Sequence, residues 1–159
     1  MSEPDIVFVC WGNICRSPMA QVVAAARARQ EGLRGVTFGS AGVSAEEAGN
    51  PMDPRAAAVL RAAGYTPSAD FRAHRITADE ARSAAMLIGM EQLHISRLRQ
   101  LVPDAHNLYL MTDFDPNAVP GAGIEDPWYG DDEDFLTALK QIEAAMPEVI
   151  KRAAELVRG

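Results

Sequence analysis

Cysteine is scarce in this chain: Cys10 and Cys15 are the only two in 159 residues. They stand too close together to staple a fold, which excludes a secreted disulfide scaffold and fits a reducing cytoplasm. Lysine is nearly missing as well, with Lys140 and Lys151 against 13 arginines, and the formal net charge is −7. An acidic surface of this kind repels nucleic acid and anionic lipid, so neither is expected as a partner. Any anion site must then be a local exception to the global field. No apolar stretch is long enough to cross a bilayer, so no membrane insertion is expected. The start, Met1-Ser2-Glu3-Pro4-Asp5, is acidic where a secretory signal is basic, and the apolar run after it is short. A cytoplasmic location is expected, with export by a route that needs no signal peptide left open. The three histidines, His74, His94 and His106, lack ligand spacing, so no metal and no cofactor are expected.

What is present is an ordinary globular composition, 48% hydrophobic and 23% charged. The length argues for one domain over residues 1–159, and a monomer is expected. Ile6 to Val9 is a short β-branched apolar run and reads as a buried parallel strand. Ser17 and Pro18 read as N-cap and first residue of a helix running to Gln30. Val36 to Phe38 reads as a second strand, with Ser40-Ala41-Gly42 as its exit loop. Asp53-Pro54 starts a helix ending at Ala63, and Thr77 to Ser83 is a short one. Ala85 to Met90 and Asn107 to Met111 read as strands three and four, with a helix over Glu91 to Leu101 between them. Thr112 to Tyr129 is a long Pro- and Gly-bearing loop, of the sort that often carries function. Asp131 to Val157 is a terminal helix. Strands alternating with helices predict an α/β fold: a four-stranded parallel sheet with helices on both faces. Ligands in such folds sit at the carboxyl ends of the strands, where Cys10 lies.

The informative segment is Cys10-Trp11-Gly12-Asn13-Ile14-Cys15-Arg16-Ser17-Pro18. It joins the first strand to the first helix, and such a turn aims several backbone N–H groups at one spot next to a helix N-terminus. Gly12 and Asn13 are the residue types that best tolerate left-handed backbone angles, so the loop can curl around an anion. The field that holds a phosphate also favours a thiolate at Cys10, which needs no dedicated base to act as nucleophile. Arg16 offers a planar fork for two phosphoryl oxygens. Ser17 can donate a hydrogen bond to the Cys10 sulfur and ease its departure. The reading is of a phosphate-binding loop with a nucleophilic cysteine.

Val9 to Pro18 resembles the low-molecular-weight protein tyrosine phosphatase loop, V-C-x-G-N-I-C-R-S-P, at every fixed position. Four further segments agree in order: Ser40-Ala41-Gly42; Gly49-Asn50-Pro51 with Asp53-Pro54-Arg55-Ala56; Ala73 with Ile76-Thr77; and Asp126-Pro127-Trp128-Tyr129-Gly130, which is similar to D-P-[YW]-Y-G. The resemblance implies a protein tyrosine phosphatase that passes through a phosphocysteine and acts on phosphotyrosine-containing proteins. It implies Cys10 as nucleophile, Arg16 as phosphate clamp and Asp126 as general acid and then base. A protonated acid is what the chemistry demands, because a phenoxide leaves poorly. The loop from Trp11 through Cys15, with Ser17, would bind the phosphate, and Trp128 and Tyr129 would flank the substrate ring. Asn13 and Ser40 would brace the loop, and Cys15 would trap oxidised Cys10 as a disulfide. Two departures stand out. Glu46 replaces an aromatic residue common in the family, which leaves one wall of the cleft missing and adds negative charge, so acidic peptides are expected to bind poorly. Phe71 replaces a bracing histidine, so the loop must be held differently.

Three alternatives share the loop or fold. A thiol-dependent arsenate reductase needs relay cysteines, and none follows Cys15. A protein-arginine phosphatase resembles this chain but carries Thr in place of Ile14, whose branched side chain would crowd a phosphoguanidinium. A non-catalytic phosphotyrosine-binding module would be expected to have lost Cys10, Arg16 or Asp126, and all three are present.

Overall fold

The computed structural model describes residues 4–158. Met1 to Glu3, the first part of the acidic start, and Gly159, the end of the expected domain, lie outside the described residues. The first strand, β1 (Ile6–Cys10), is buried at all five positions. Ile6, Phe8 and Cys10 join one apolar cluster, while Val7 and Val9 join another. A strand covered on both faces has no reason to alternate polar and apolar residues, hence the continuous run in the sequence.

The remaining elements are α1 (Arg16–Gln30), β2 (Phe38–Gly42), α2 (Pro54–Ala62), α3 (Ala78–Ser83), β3 (Met86–Gly89), α4 (Gln92–Leu101), β4 (Leu108–Leu110) and α5 (Asp132–Arg158). The strands form one parallel sheet in the order β2-β1-β3-β4. On one face α1, α2 and α5 contribute Met19, Val23, Leu60, Phe135 and Ile142 to the larger cluster. On the other, α3 and α4 contribute Ala81 and Leu98 to the smaller one. Burying side chains such as Phe8 on one face and Val9 on the other is worth about 1.5–3 kcal/mol each, so both faces hold β1 firmly. From β1 the chain passes to β2 on one side and, later, to β3 on the other. Cys10 therefore ends its strand at the crevice where strand order reverses, the usual place for a ligand in such sheets.

Three differences from the sequence reading bear on the site; the other element ends move by a residue or so. Helix α1 starts at Arg16 behind Cys15, not at Pro18 behind Ser17. The Ser17 hydroxyl is engaged by Cys10 and Asn13 and does not cap the backbone. Pro18 still falls in the first turn, where a missing N–H costs nothing. Strand β2 covers Phe38 to Gly42, so Ser40-Ala41-Gly42 is strand and not exit loop. Its pairing with β1, Phe38 opposite Ile6 and Gly42 opposite Cys10, requires this register. Finally, the long loop is not featureless: it holds two 3-10 turns, Met111–Phe114 and Pro127–Tyr129, so Met111 leaves the fourth strand.

Candidate active site

The segment from Cys10 to Arg16 is tied down by its carbonyls. Val43 N donates to Cys10 O at 3.0 Å, Ser44 N to Trp11 O at 3.1 Å, and Asp53 N to Ile14 O at 2.9 Å. The amides of Gly12, Asn13, Ile14 and Cys15 find no acceptor among the described residues. Four neighbouring amide donors left over in one turn mark an anion cradle, here beside the N-terminus of α1. Only Asn13 takes a left-handed conformation, with φ of 62°. Gly12 does not, contrary to the expectation from its residue type. The second glycine that matters is Gly42, where a Cβ would come within 2.7 Å of Trp11 O. The end of β2 must therefore be bare for the loop to lie against it.

Asn13 is fully buried and satisfies its whole amide. Its Nδ2 donates to Ser17 Oγ at 2.8 Å and to Ser40 Oγ at 3.0 Å, and its Oδ1 accepts from His74 N at 3.1 Å. Ser40 in turn donates to Gln21 Oε1 at 2.7 Å. The brace that Phe71 cannot give thus comes from the backbone of His74, whose ring is taken by Glu80 at 2.7 Å. Phe71 itself packs half-buried on the larger core cluster. The network ends at the sulfur: Ser17 Oγ lies 3.0 Å from Cys10 Sγ. Asn13 donates to that same oxygen, so the Ser17 proton faces two acceptors, the sulfur at 3.0 Å and Ala41 O at 3.4 Å.

Arg16 is 2% exposed. Its Nη1 forms an ion pair with Glu91 and donates to Ile124 O at 2.7 Å. Its Nη2 lies 3.5 Å from Asp126 Oδ2. Its Nε is buried with no acceptor among the described residues. The sequence reading missed Glu91, and a signal for it was there: it stands just past β3, at the same sheet edge as Cys10. His94 was also missed. It is fully buried, and its Nδ1 accepts the Glu91 N–H at 3.0 Å, fixing the proton on Nε2. Burial, with the Arg16 charge behind it, holds the His94 ring down to a pKa of about 3, so the imidazole is neutral.

Asp126 caps the second 3-10 turn, accepting from Trp128 N at 3.1 Å. Cys10, Trp11, Gly12, Ile14, Cys15, Arg16, Asp126, Trp128 and Tyr129 all line one cleft of about 160 Å³, together with Glu46 and Glu47. Trp128 and Tyr129 meet edge to face, ring centroids 4.7 Å apart. They are 44% and 88% exposed, so they stand at the mouth and not in the core. Asn13, Ser17 and Ser40 lie behind the loop as its support. Cys15 is buried and reduced, and burial, then the Asp53 charge, pushes its thiol well above the usual range. Asp53 is itself pushed up by burial, but hydrogen bonds from Arg55 outweigh this and hold its carboxyl below the usual range.

A buried cysteine, a loop of unpaired amides and a braced arginine at the end of a parallel strand define a phosphate-handling α/β protein. The family model described as "Low molecular weight phosphotyrosine protein phosphatase" matches residues 5–158, and the chain belongs to that family. It is 41% identical over 150 residues to "Low molecular weight protein-tyrosine phosphatase A" of Mycobacterium tuberculosis, covering 92% of this chain and 90% of that protein. It is 36% identical over 160 residues to the "Low molecular weight protein-tyrosine-phosphatase" of Streptomyces coelicolor, covering 97% and 96%. Among solved structures, a protein tyrosine phosphatase from Entamoeba histolytica superposes with a TM-score of 0.88 at 25% identity, covering 94% of this chain and 96% of that one.

Proposed function

We infer that this chain hydrolyses phosphotyrosine on proteins, and aryl phosphates generally, through a phosphocysteine at Cys10. The observation that carries the reading is the contact between Cys10 Sγ and Ser17 Oγ at 3.0 Å, inside a loop whose amides at residues 12–15 lack acceptors. Those amides and the free Nε of Arg16 are the donors for the three non-bridging phosphoryl oxygens. The dianion competes with Asp126 for Nη2 of Arg16. Asp126 is then released from Arg16 to face the leaving oxygen.

In the first step Cys10 Sγ bonds to phosphorus as the bond to the tyrosyl oxygen breaks. Asp126 gives its proton to that oxygen, so tyrosine leaves neutral. In the second step Asp126 takes a proton from water, the water oxygen bonds to phosphorus, and the sulfur departs as thiolate with the Ser17 hydroxyl donating to it. Inorganic phosphate is the second product, and the cysteine is regenerated. Cys10, Arg16 and Asp126 line one chain's cleft and Ser17 backs it from the same chain, so a monomer suffices, and the scarcity of cysteine favours the cytoplasm. Ile14 in the cleft favours a phenyl ester over a phosphoguanidinium, which is polar where Ile14 is apolar.

The experiment is hydrolysis of p-nitrophenyl phosphate, then of phosphotyrosine and phosphoarginine peptides, by reduced wild type and Cys10→Ser in EDTA. Activity in the wild type alone, with phosphotyrosine preferred, supports the reading. Preference for phosphoarginine would replace the substrate, and an inactive wild type would leave a binding module.

A further inference from the structure

The replacement of an aromatic residue by Glu46 leaves the cleft one wall short by sequence. The structure holds an indole there from another element. Trp11, the second residue of the phosphate loop, lines the same cleft as Trp128 and Tyr129. Its Nε1–H donates to Glu46 Oε2 at 3.2 Å. The Arg97 guanidinium lies over its ring, 4.9 Å from the centroid. The side chain packs, half-buried, on the cluster formed by Val7, Val9, Val43 and Leu98. Its own carbonyl accepts from Ser44 N, in the loop that carries Glu46. The indole is thus fixed by a hydrogen bond, a cation over its ring, an apolar base and its own backbone. A ring held this way loses little freedom when a ligand stacks on it.

We propose that Trp11 is the aromatic wall of this cleft and Glu46 is its lock, so that ring recognition comes from the phosphate loop itself. Glu46 is then not a wall lost but the acceptor that orients the replacement. The chemical class selected is an aryl phosphate over an alkyl phosphate; that the aryl ester is turned over rests on the phosphatase function inferred above. The wall itself is a binding property.

The test uses calorimetry with benzylphosphonate and methylphosphonate, which share a head group and differ by the ring. The ratio of their dissociation constants in wild type is the benefit of the ring. Trp11→Ala should shrink that ratio about five- to tenfold, the size of an aromatic pair contact. Trp11→Phe should keep part of the ratio. Glu46→Ala should shrink it about two- to threefold by freeing the indole, while Glu46→Gln, which retains an acceptor, should preserve it. An unchanged ratio in Trp11→Ala, or equal loss of both ligands, overturns the wall. Should Trp11→Ala fail to fold, Glu46→Ala and Arg97→Met alter exposed residues only, and an unchanged ratio in both overturns it instead. Phosphotyrosine turnover in the same wild-type preparation separates the two readings. Ring-dependent binding without turnover sinks the phosphatase and leaves the wall, whereas turnover with a ring benefit independent of Trp11 sinks the wall alone.

Discussion

Glu91 forms an ion pair with Nη1 of Arg16, and that same nitrogen donates to Ile124 O at 2.7 Å. One edge of the guanidinium is therefore committed to the protein, while Nε is left without a partner among the described residues and Nη2 has only Asp126, 3.5 Å away. The brace sets the fork's plane before any phosphate arrives, which is how a positioned group lowers a barrier.

Removing that brace should cost turnover. Glu91→Ala is expected to lower kcat/KM for p-nitrophenyl phosphate about 100-fold, and Glu91→Gln about tenfold, since the amide keeps a hydrogen bond but not the charge. Steady-state kinetics decides it. Wild-type values in Glu91→Ala would mean that Ile124 O alone orients Arg16.

His94 should make the fold sensitive to acid. Its ring titrates near 3 when folded and near 6.5 when unfolded. Between those values the unfolded chain binds the extra proton, so stability from this group is complete above pH 6.5 and falls as the pH drops toward 3. From pH 6.5 to 5 the loss is at most about 2 kcal/mol. His94→Asn can still accept the Glu91 N–H without titrating. Its Tm should fall less steeply over that interval, and parallel Tm curves for the two proteins would contradict the assignment.

Cys15 should protect Cys10 better in base than in acid. Burial, then the Asp53 charge, keeps Cys15 protonated at neutral pH, and only its thiolate attacks an oxidised Cys10 to close a disulfide. After peroxide treatment, activity recovered by dithiothreitol should be greater at pH 8.5 than at pH 6.5 in wild type. Cys15→Ser should recover little at either pH. Full recovery in Cys15→Ser would remove Cys15 from the protection.

The cleft's rim should select charge. Glu46, Glu47 and Asp126 line it, against Arg16 as the one cation in the lining among the described residues. Phosphotyrosine peptides with flanking Lys or Arg should show about three- to tenfold higher kcat/KM than acidic ones at low salt, converging at high salt. Glu46→Gln with Glu47→Gln should abolish the difference. Equal rates for both peptides in wild type would deny the rim an electrostatic role.

These residues also separate what the sequence made legible from what it did not. The continuous apolar run of β1 and the placement of Cys10 at its carboxyl end could be read directly, because burial on both sheet faces leaves a pattern in the residues themselves. So could the Cys10-to-Pro18 loop and the Asp126-to-Tyr129 segment, which carry their chemistry in short spacings. The start of α1 could not, since Ser17 looks like a cap until its hydroxyl is seen on the Cys10 sulfur. Strand β2 was displaced because Gly39, Ser40, Ala41 and Gly42 have poor strand propensity, and only pairing with β1 makes them a strand. Glu91 lies 75 residues from Arg16 along the chain, so its role depends on β3 lying beside β1. The bracing of Asn13 by His74 N uses a backbone amide, which no residue type announces.

Covalent chemistry at Cys10 is the step on which the activity turns. Reduced wild type and Cys10→Ser would be mixed with ³²P-labelled phosphotyrosine peptide, quenched in acid within the first turnovers and mapped by peptide. Label is expected on the peptide containing Cys10 in wild type and none there in Cys10→Ser, with that label lost as inorganic phosphate appears. Phosphate release by wild type with no labelled Cys10 peptide, or undiminished release by Cys10→Ser, would contradict it.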